Sequence, residues 1–445
     1  MPMIRDYPID RVLKPLDRFI RDQTMAGVAL FVSAAVAVVL ANSPWREAYH
    51  AFWEHTVAFH YDDFSMSLNL KHVINDGLMA GFFFLVALEL KRSFIAGDLS
   101  SPKAAALPLA ASFGGMAFPA LIFLAINQFE FPAARGWGIT LGTDTAFVLV
   151  ILGLLGKRVP PAVKAFFIAV SVIDDIVSVS VIALFYTSDL STINLVMGGI
   201  FLAVMVLMNV LGVRNMTAFA VVGILGMWSA FMLSGVHATV AGVLGALAIP
   251  ATVRMDGGSF VNQMRHLANE FDKTLVPGRR FINEEQVLII TRMKRCSANV
   301  EPPLQRLEHR LHPWVSFLVL PLFALANAGI ELPTSISAIS SPLTMGVSLG
   351  LLLGKPIGLL LMSWIFLKLG WGTLGAGVRW PHMVAVSVIS GLGFTMALFI
   401  SELAYTEEWM RADAKLGILL ASLTTGVLGT LLFMRIKKDT GKLAE

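Results

Sequence analysis

Two aspartates, Asp174 and Asp175, stand side by side in the run AFFIAVSVIDDIVSVSVIALFYT, residues 165–187, which holds no other charged residue. A stretch of that length can cross a bilayer as one helix, and a carboxylate near the midplane costs about 2.5–3.5 kcal/mol on insertion scales. Carboxylate oxygens in such a place take a proton or a hard cation in competition, and adjacent acids titrate as one coupled system. Two further charges sit equally deep. Asp144, in GWGITLGTDTAFVLVILGLLG, is flanked by Gly142, Thr143 and Thr145, which make poor helix and good polar lining. Lys355, in LLLGKPIGLLL, lies beside Gly354, Pro356 and Gly358. Too deep to snorkel to either interface, it is expected to be neutral or paired with a carboxylate, Asp174 being the candidate partner.

The elements that must hold these groups follow from composition. Of 445 residues, 56% are hydrophobic and 14% charged, against about 25% charged in soluble domains, and the mean hydropathy is +0.72. The chain is therefore expected to be an all-α polytopic membrane protein. Apolar segments at roughly 23–45, 73–90, 104–127, 136–156, 163–187, 193–213, 216–234, 237–253, 313–330, 343–367, 383–404 and 416–434 predict twelve transmembrane helices. The single cysteine, Cys296, excludes an intramolecular disulfide and a cysteine metal cluster.

With both termini placed in the cytoplasm, Arg46, Lys71, Arg135, Arg411 and Lys415 fall outside and Lys355 lies within a span. The rest of the 34 Lys and Arg residues face inward. This satisfies the positive-inside rule. The basic residues thus orient the chain, and the net charge of +4 does not argue for a nucleic-acid partner. Arg5, Arg11, Lys14, Arg18 and Arg21 precede a long first span without an A-x-A site, so no cleavable signal peptide is expected. The expected organisation is a cytoplasmic amphipathic segment over 1–22, a transmembrane domain over 23–434 and a cytoplasmic tail over 435–445. Ile9, Val12, Leu13, Leu16, Phe19 and Ile20 recur at helical spacing in the first of these.

Two connections are long. The outer one, 46–72, alternates Val57, Phe59 and Tyr61 with polar neighbours, then Phe64, Met66, Leu68 and Leu70, around Asp62-Asp63; it predicts a β-hairpin. An isolated hairpin is marginal in water, so edge pairing with a second protomer is expected. In the inner loop, 254–308, Phe260, Met264, Leu267, Phe271 and Leu275 suggest one surface helix and residues 284–295 another, but the expectation is a solvated, orienting loop rather than a folded unit.

The depth of the glycines gives the symmetry. Gly391 and Gly393 interrupt span 11, VSVISGLGFTMALFI, at about the depth where Gly142 and Asp144 interrupt span 4. Spans 3–5 and 10–12 are offset by an odd number of crossings, so the two triplets form inverted repeats, and paired interrupted helices in such repeats point to a transporter's midplane site. Where two broken helices cross, half-helix ends of like sign meet, each worth about half a unit charge. Asp144 would offset the positive ends and Lys355 the negative ones. At the inner end of span 2, Glu89 and Arg92 share a helix face, and Glu308, His309 and His312 lie at the entrance to span 9. Histidine titrates near neutral pH, so Glu308, His309 and His312 form a candidate pH-responsive cluster, against the ordinary reading of solvated interface residues. Asp76 follows Asn75 at the outer mouth of span 2.

The stretches INDGLMAGFFFLVALELKR, GTDTAF, IDDIVSVSVIALFY, SGVHATVAGV, RLEHRLHPWV, PLFALANAGI, GKPIG, GLGFTM and AKLGIL, running from Ile74 to Leu419, resemble the bacterial sodium/proton antiporters of the NhaA type. The resemblance implies twelve helices, with helices 4 and 11 unwound and crossing, and a homodimer joined by the outer hairpin in the bacterial inner membrane. It also implies exchange of cytoplasmic Na+ or Li+ for more than one external H+, with pH regulation. No enzymatic activity and no cofactor are implied, Na+, Li+ and H+ being transported ions. Asp175 then becomes the principal cation ligand and Asp174 its partner, paired with Lys355; Thr143 and Asp144 match the polar break. Glu89, Arg92 and Glu308, with His309 and His312 adjacent, match positions tied to pH response. Ser93 stands where relatives often carry an acid, and the inner loop looks longer than usual; both departures bear on the pH set-point.

Three rival classes differ in what they require. An intramembrane aspartyl protease wants its acids on two facing helices, whereas sequential residues diverge by about 100° around one helix. A sodium-coupled organic solute symporter on the same scaffold needs a substrate pocket and is the nearer alternative. A passive channel is disfavoured by a paired-charge site that would bind too tightly for fast passage.

Overall fold

The computed structural model describes residues 23–61, 64–97, 99–187, 190–275, 281–332 and 339–436. The expected amphipathic segment over 1–22, the hairpin turn Asp62-Asp63 and the tail from 437 lie outside the described residues. In chain order the elements are α1 (Gln23–Ala41), α2 (Arg46–Glu54), β1 (Thr56–Tyr61), β2 (Phe64–Asn69), α3 (Leu70–Ala96), α4 (Pro102–Ile126), a 3-10 segment (Ala133–Thr140), α5 (Thr145–Leu154), α6 (Pro161–Phe185), α7 (Thr192–Val210), α8 (Met216–Leu233) and α9 (Ala238–Ala248). There follow α10 (Gly257–Lys273), α11 (Glu284–Val300), α12 (303–327), α13 (Pro342–Lys368), α14 (Trp380–Ile389), α15 (Phe394–Ala404) and α16 (Glu408–Arg435).

Among the described residues, eight helices are long and apolar enough to cross a membrane, or ten if the bent pairs α1–α2 and α14–α15 each count as one span. The two other predicted spans fall on shorter or more polar helix. α9 has only 11 residues, and α12 starts ten residues before the predicted membrane entry at 313, in the polar sequence PLQRLEHRLH. Hydropathy marks the part of a helix that lipid accepts, whereas the backbone ladder runs on into water. The outer connection also holds more than strands: α2 precedes them and turns back from α1 by 116°. β1 and β2 pair antiparallel from Thr56↔Asn69 to Tyr61↔Phe64.

Without a hydrophobic drive between helices in lipid, close van der Waals packing holds them, and small residues let backbones approach. The tightest case is α4 against α13. A methyl built on Gly114 would stand 2.2 Å from Gly358 O, and one on Gly358 would stand 2.0 Å from Gly114 O. The core continues through aromatic rings: Phe399 of α15 lies 5.5 Å from Phe83 of α3 and 6.2 Å from Phe323 of α12, centroid to centroid. These contacts anchor the second half of the broken pair α14–α15.

The inner loop holds two surface helices where its apolar spacing suggests them, and most of their residues are exposed. α10 and α11 pack against one another around buried Leu267, Ile289 and Cys296, with Phe260, Met264, Phe271 and Met293 alongside. Asp256 caps α10, and Asn283 with Gln286 forms a capping box on α11. Gln286 and Cys296 are both buried on α11.

Candidate functional site

The two breaks meet. Helix stops at Thr140 and resumes at Thr145; the second break lies between Ile389 and Phe394. Only residues without bulk fit the crossing: a methyl on Gly393 would stand 2.9 Å from Gly142 O, and one on Gly142 would stand 2.6 Å from Met396 Cβ. The strands of the crossing are joined by Asp144 N, which donates to Leu392 O at 2.8 Å.

Asp144 occupies the point where two helices begin. Its Oδ1 accepts from Phe147 N at 3.1 Å in the first turn of α5, and its Oδ2 accepts from Thr395 N at 2.8 Å in the first turn of α15. One buried carboxylate therefore satisfies backbone donors at two positive helix ends. On the opposite side Lys355 Nζ donates to Leu141 O, next to the end of the 3-10 segment.

Both oxygens of Asp174 are engaged. Its Oδ2 accepts from Thr143 Oγ1 at 2.8 Å and lies 3.1 Å from Lys355 Nζ; its Oδ1 accepts from Ser112 Oγ. Asp174 and Lys355 are both fully buried. Asp175 differs. It is equally deep, yet its Oδ1 accepts no hydrogen bond among the described residues. The breaks of spans 4 and 11, Thr143, Asp144, Asp174, Asp175 and Lys355 thus come together at one point, and only Asp175 keeps an unused carboxylate oxygen there. The sequence reading missed Ser112; a serine in apolar α4 carries no charge signal, and only its hydrogen bond to Asp174 singles it out.

The sequence matches the family described as Na+/H+ antiporter 1 over residues 17–433. The Na(+)/H(+) antiporter NhaA 2 of Syntrophotalea carbinolica is 42% identical, covering 94% of this chain and 95% of that one. The Na(+)/H(+) antiporter NhaA of Oleidesulfovibrio alaskensis is also 42% identical, covering 98% of this chain and 97% of that one. The chain belongs to the Na+/H+ antiporter 1 family. A more distant likeness is the solved structure of the sodium proton antiporter MjNhaP1 from Methanocaldococcus jannaschii at pH 8, with TM-score 0.46 and 12% identity over 92% of both chains.

In this Na+/H+ antiporter 1 family member, the residues singled out for pH response lie apart from the crossing, at the junction of α3 and α12. Arg92 Nε stands 3.1 Å from Glu308 Oε2, joining the two helices. Glu89 is one turn before Arg92, and His309 is exposed. His312 Nδ1 lies 3.5 Å from Ser316 Oγ. Burial raises the Glu308 carboxyl above its ordinary value while Arg92 and His309 oppose the rise. Burial, with His309 nearby, lowers His312 below its ordinary 6.5. At the other mouth Asn75 and Asn327 exchange amide hydrogen bonds of 3.3 and 2.8 Å.

Proposed function

We propose that the protein is a secondary antiporter exchanging cytoplasmic Na+ or Li+ for more than one external H+, with Asp174 and Asp175 as the shared proton and cation site. The observation that carries this reading is the asymmetry of the buried pair. Asp174 is taken up by Lys355, Thr143 and Ser112, whereas Asp175 Oδ1 is open. A buried carboxylate oxygen without a donor is costly, and a proton or an alkali cation removes the cost. Only one of the two can be there at a time, which is the competition an exchanger needs. When the cation also engages Asp174, it does so at the expense of the Lys355 pair.

The finer architecture belongs to the same reading. Twelve spans follow if α9 and α12 cross with the ten already counted. Inverted repeats of spans 3–5 and 10–12 are supported by the reciprocal glycine contact of α4 with α13 and by the crossing of the two breaks. Inner-membrane placement with cytoplasmic termini is part of it, and the outer cations then have local partners. Arg46 lies 3.2 Å from Glu331, while Lys71, Arg411 and Lys415 surround Glu402 at 2.9, 3.4 and 2.6 Å. Arg135 sits 5.9 Å over the Tyr186 ring. The excess of Lys and Arg on the inner side is what favours this orientation. Dimerisation through the 46–72 hairpin and pH control through Glu89, Arg92, Glu308, His309 and His312 complete the proposal.

The test is direct. Adding Na+ to purified, unbuffered protein should release protons, and Asp175→Asn should abolish the release while the protein remains folded. Sodium uptake at full rate by Asp175→Asn in liposomes would end the proposal.

A further inference from the structure

α6 carries two hydroxyls for which the fold supplies no partner. Ser171 and Ser178 are fully buried, and their Oγ atoms, like Asp175 Oδ1, make no hydrogen bond among the described residues. Several serines and threonines on these helices close onto the carbonyl one turn back, while Thr145, Thr239, Ser363 and Ser422 also lack a partner but are not on α6. Ser180 bonds Ile176 O at 2.9 Å on α6 itself, Ser387 bonds Met383 O at 2.7 Å and Thr425 bonds Ala421 O at 2.8 Å. Ser171 and Ser178 do not. Their spacing with the acids, 171, 174, 175, 178, is the i, i+3, i+4, i+7 pattern of a single helix face. Ser171 lies one turn before Asp175 and Ser178 one turn after it, with neighbouring Cβ atoms on such a face about 5–6 Å apart. Three unused oxygens, two of hydroxyls and one of a carboxyl group, therefore share one buried stripe.

We propose that Ser171 and Ser178 are ligands of the transported alkali cation, supplying hydroxyl oxygens to either side of the Asp175 carboxylate. This rests on the exchange reading and deepens it. A hydroxyl offers lone pairs to a cation, and it adds coordination without a second full charge, so the ion is held loosely enough to leave. The serines also bear on selectivity. Li+ is smaller than Na+ and is satisfied by fewer oxygens, so loss of a hydroxyl weakens Na+ more than Li+.

The experiment compares Ser171→Ala, Ser178→Ala and the hydroxyl-retaining Ser178→Thr with the unaltered full-length protein. Na+- and Li+-dependent proton movement is measured in liposomes, and melting temperature is followed with and without each ion. Each alanine variant is expected to raise the KM for Na+ roughly two- to tenfold, the fold-change of one neutral hydrogen-bond-sized contact. The KM for Li+ should move less, and Ser178→Thr should restore the Na+ value. In Na+-free solution the alanine variants should melt no lower than the unaltered protein, because an unpartnered buried hydroxyl has been removed, and their stabilisation by added Na+ should shrink. Alanine variants that keep both KM values and the full Na+-induced shift would overturn the assignment. So would variants that melt lower in Na+-free solution with unchanged KM, which marks a structural hydroxyl. If the unaltered protein moves no protons on Na+ addition, the exchange reading itself falls, a result distinct from either.

Discussion

Removing one member of the Asp174–Lys355 pair should cost far more than removing both. The two groups are 3.1 Å apart and fully buried, so neither Asp174→Asn nor Lys355→Met leaves its former partner within reach of water. Stranding a buried charge in this way costs about 3–5 kcal/mol, whereas replacing both partners with neutral groups of similar volume is close to neutral. Each single variant also disturbs a smaller contact. Asp174→Asn weakens the bonds from Ser112 and Thr143, and Lys355→Met strips a donor from Leu141 O. Each of these is worth about 1 kcal/mol. The double variant should therefore recover most of the loss, leaving roughly 1–2 kcal/mol for the neutral bonds. The coupling from the double-mutant cycle should be several times larger than the error of adding distant sites. Thermal melting of detergent-purified protein, read by retained monodispersity, gives the four values needed. Additive losses in the double variant would refute the pairing, and so would single variants that melt within a degree of the unaltered protein.

Asp144→Asn should lower stability by about 2–4 kcal/mol, because an amide keeps one acceptor but turns a donor toward Phe147 N or Thr395 N and removes charge from two helix ends; the melting temperature checks it. Gly393→Ala should destabilise by about 1–3 kcal/mol, since its methyl would stand 2.9 Å from Gly142 O and 3.3 Å from Leu351 Cδ2; Gly199→Ala, with open space around it, serves as the control. His312 is held below its ordinary 6.5, so its neutral form favours the fold: the contribution is present above that value and lost as pH falls through the lowered one. His312→Gln should therefore flatten the decline in melting temperature on the acid side of about pH 6.5, leaving the alkaline side unchanged.

Much of this site could be read from the residues because charge in lipid is conspicuous. Asp144, Asp174, Asp175 and Lys355 each break an apolar run, and Gly142, Gly391 and Gly393 mark where the backbone must leave the helix. Ser112, Ser171 and Ser178 escaped notice because a hydroxyl costs little in a helix that can return it to its own carbonyl, so its presence carries no signal until that bond is seen to be missing. In the inner loop the apolar spacing marks both helices, α10 and α11, but not that they pack on one another, because so few of their residues are buried. Span limits were blurred at α12, where the helix begins in the polar stretch before Pro313.

The neighbouring acids make different contacts despite identical chemistry, and the helix geometry accounts for it. Consecutive positions diverge by about 100°, enough for Asp174 to meet α4, α13 and the span 4 break together while Asp175 meets none of their donors. Asp144 cannot substitute for either, because both its oxygens are already committed to helix ends. Of the three carboxylates at the crossing, Asp144 and Asp174 have both oxygens engaged, and Asp175 has one without a donor among the described residues. A substitution that frees Asp174, such as Lys355→Met, creates a second unpaired acid in the same place. That change should alter ion affinity and stability together, whereas Asp175→Asn should abolish exchange with little effect on folding.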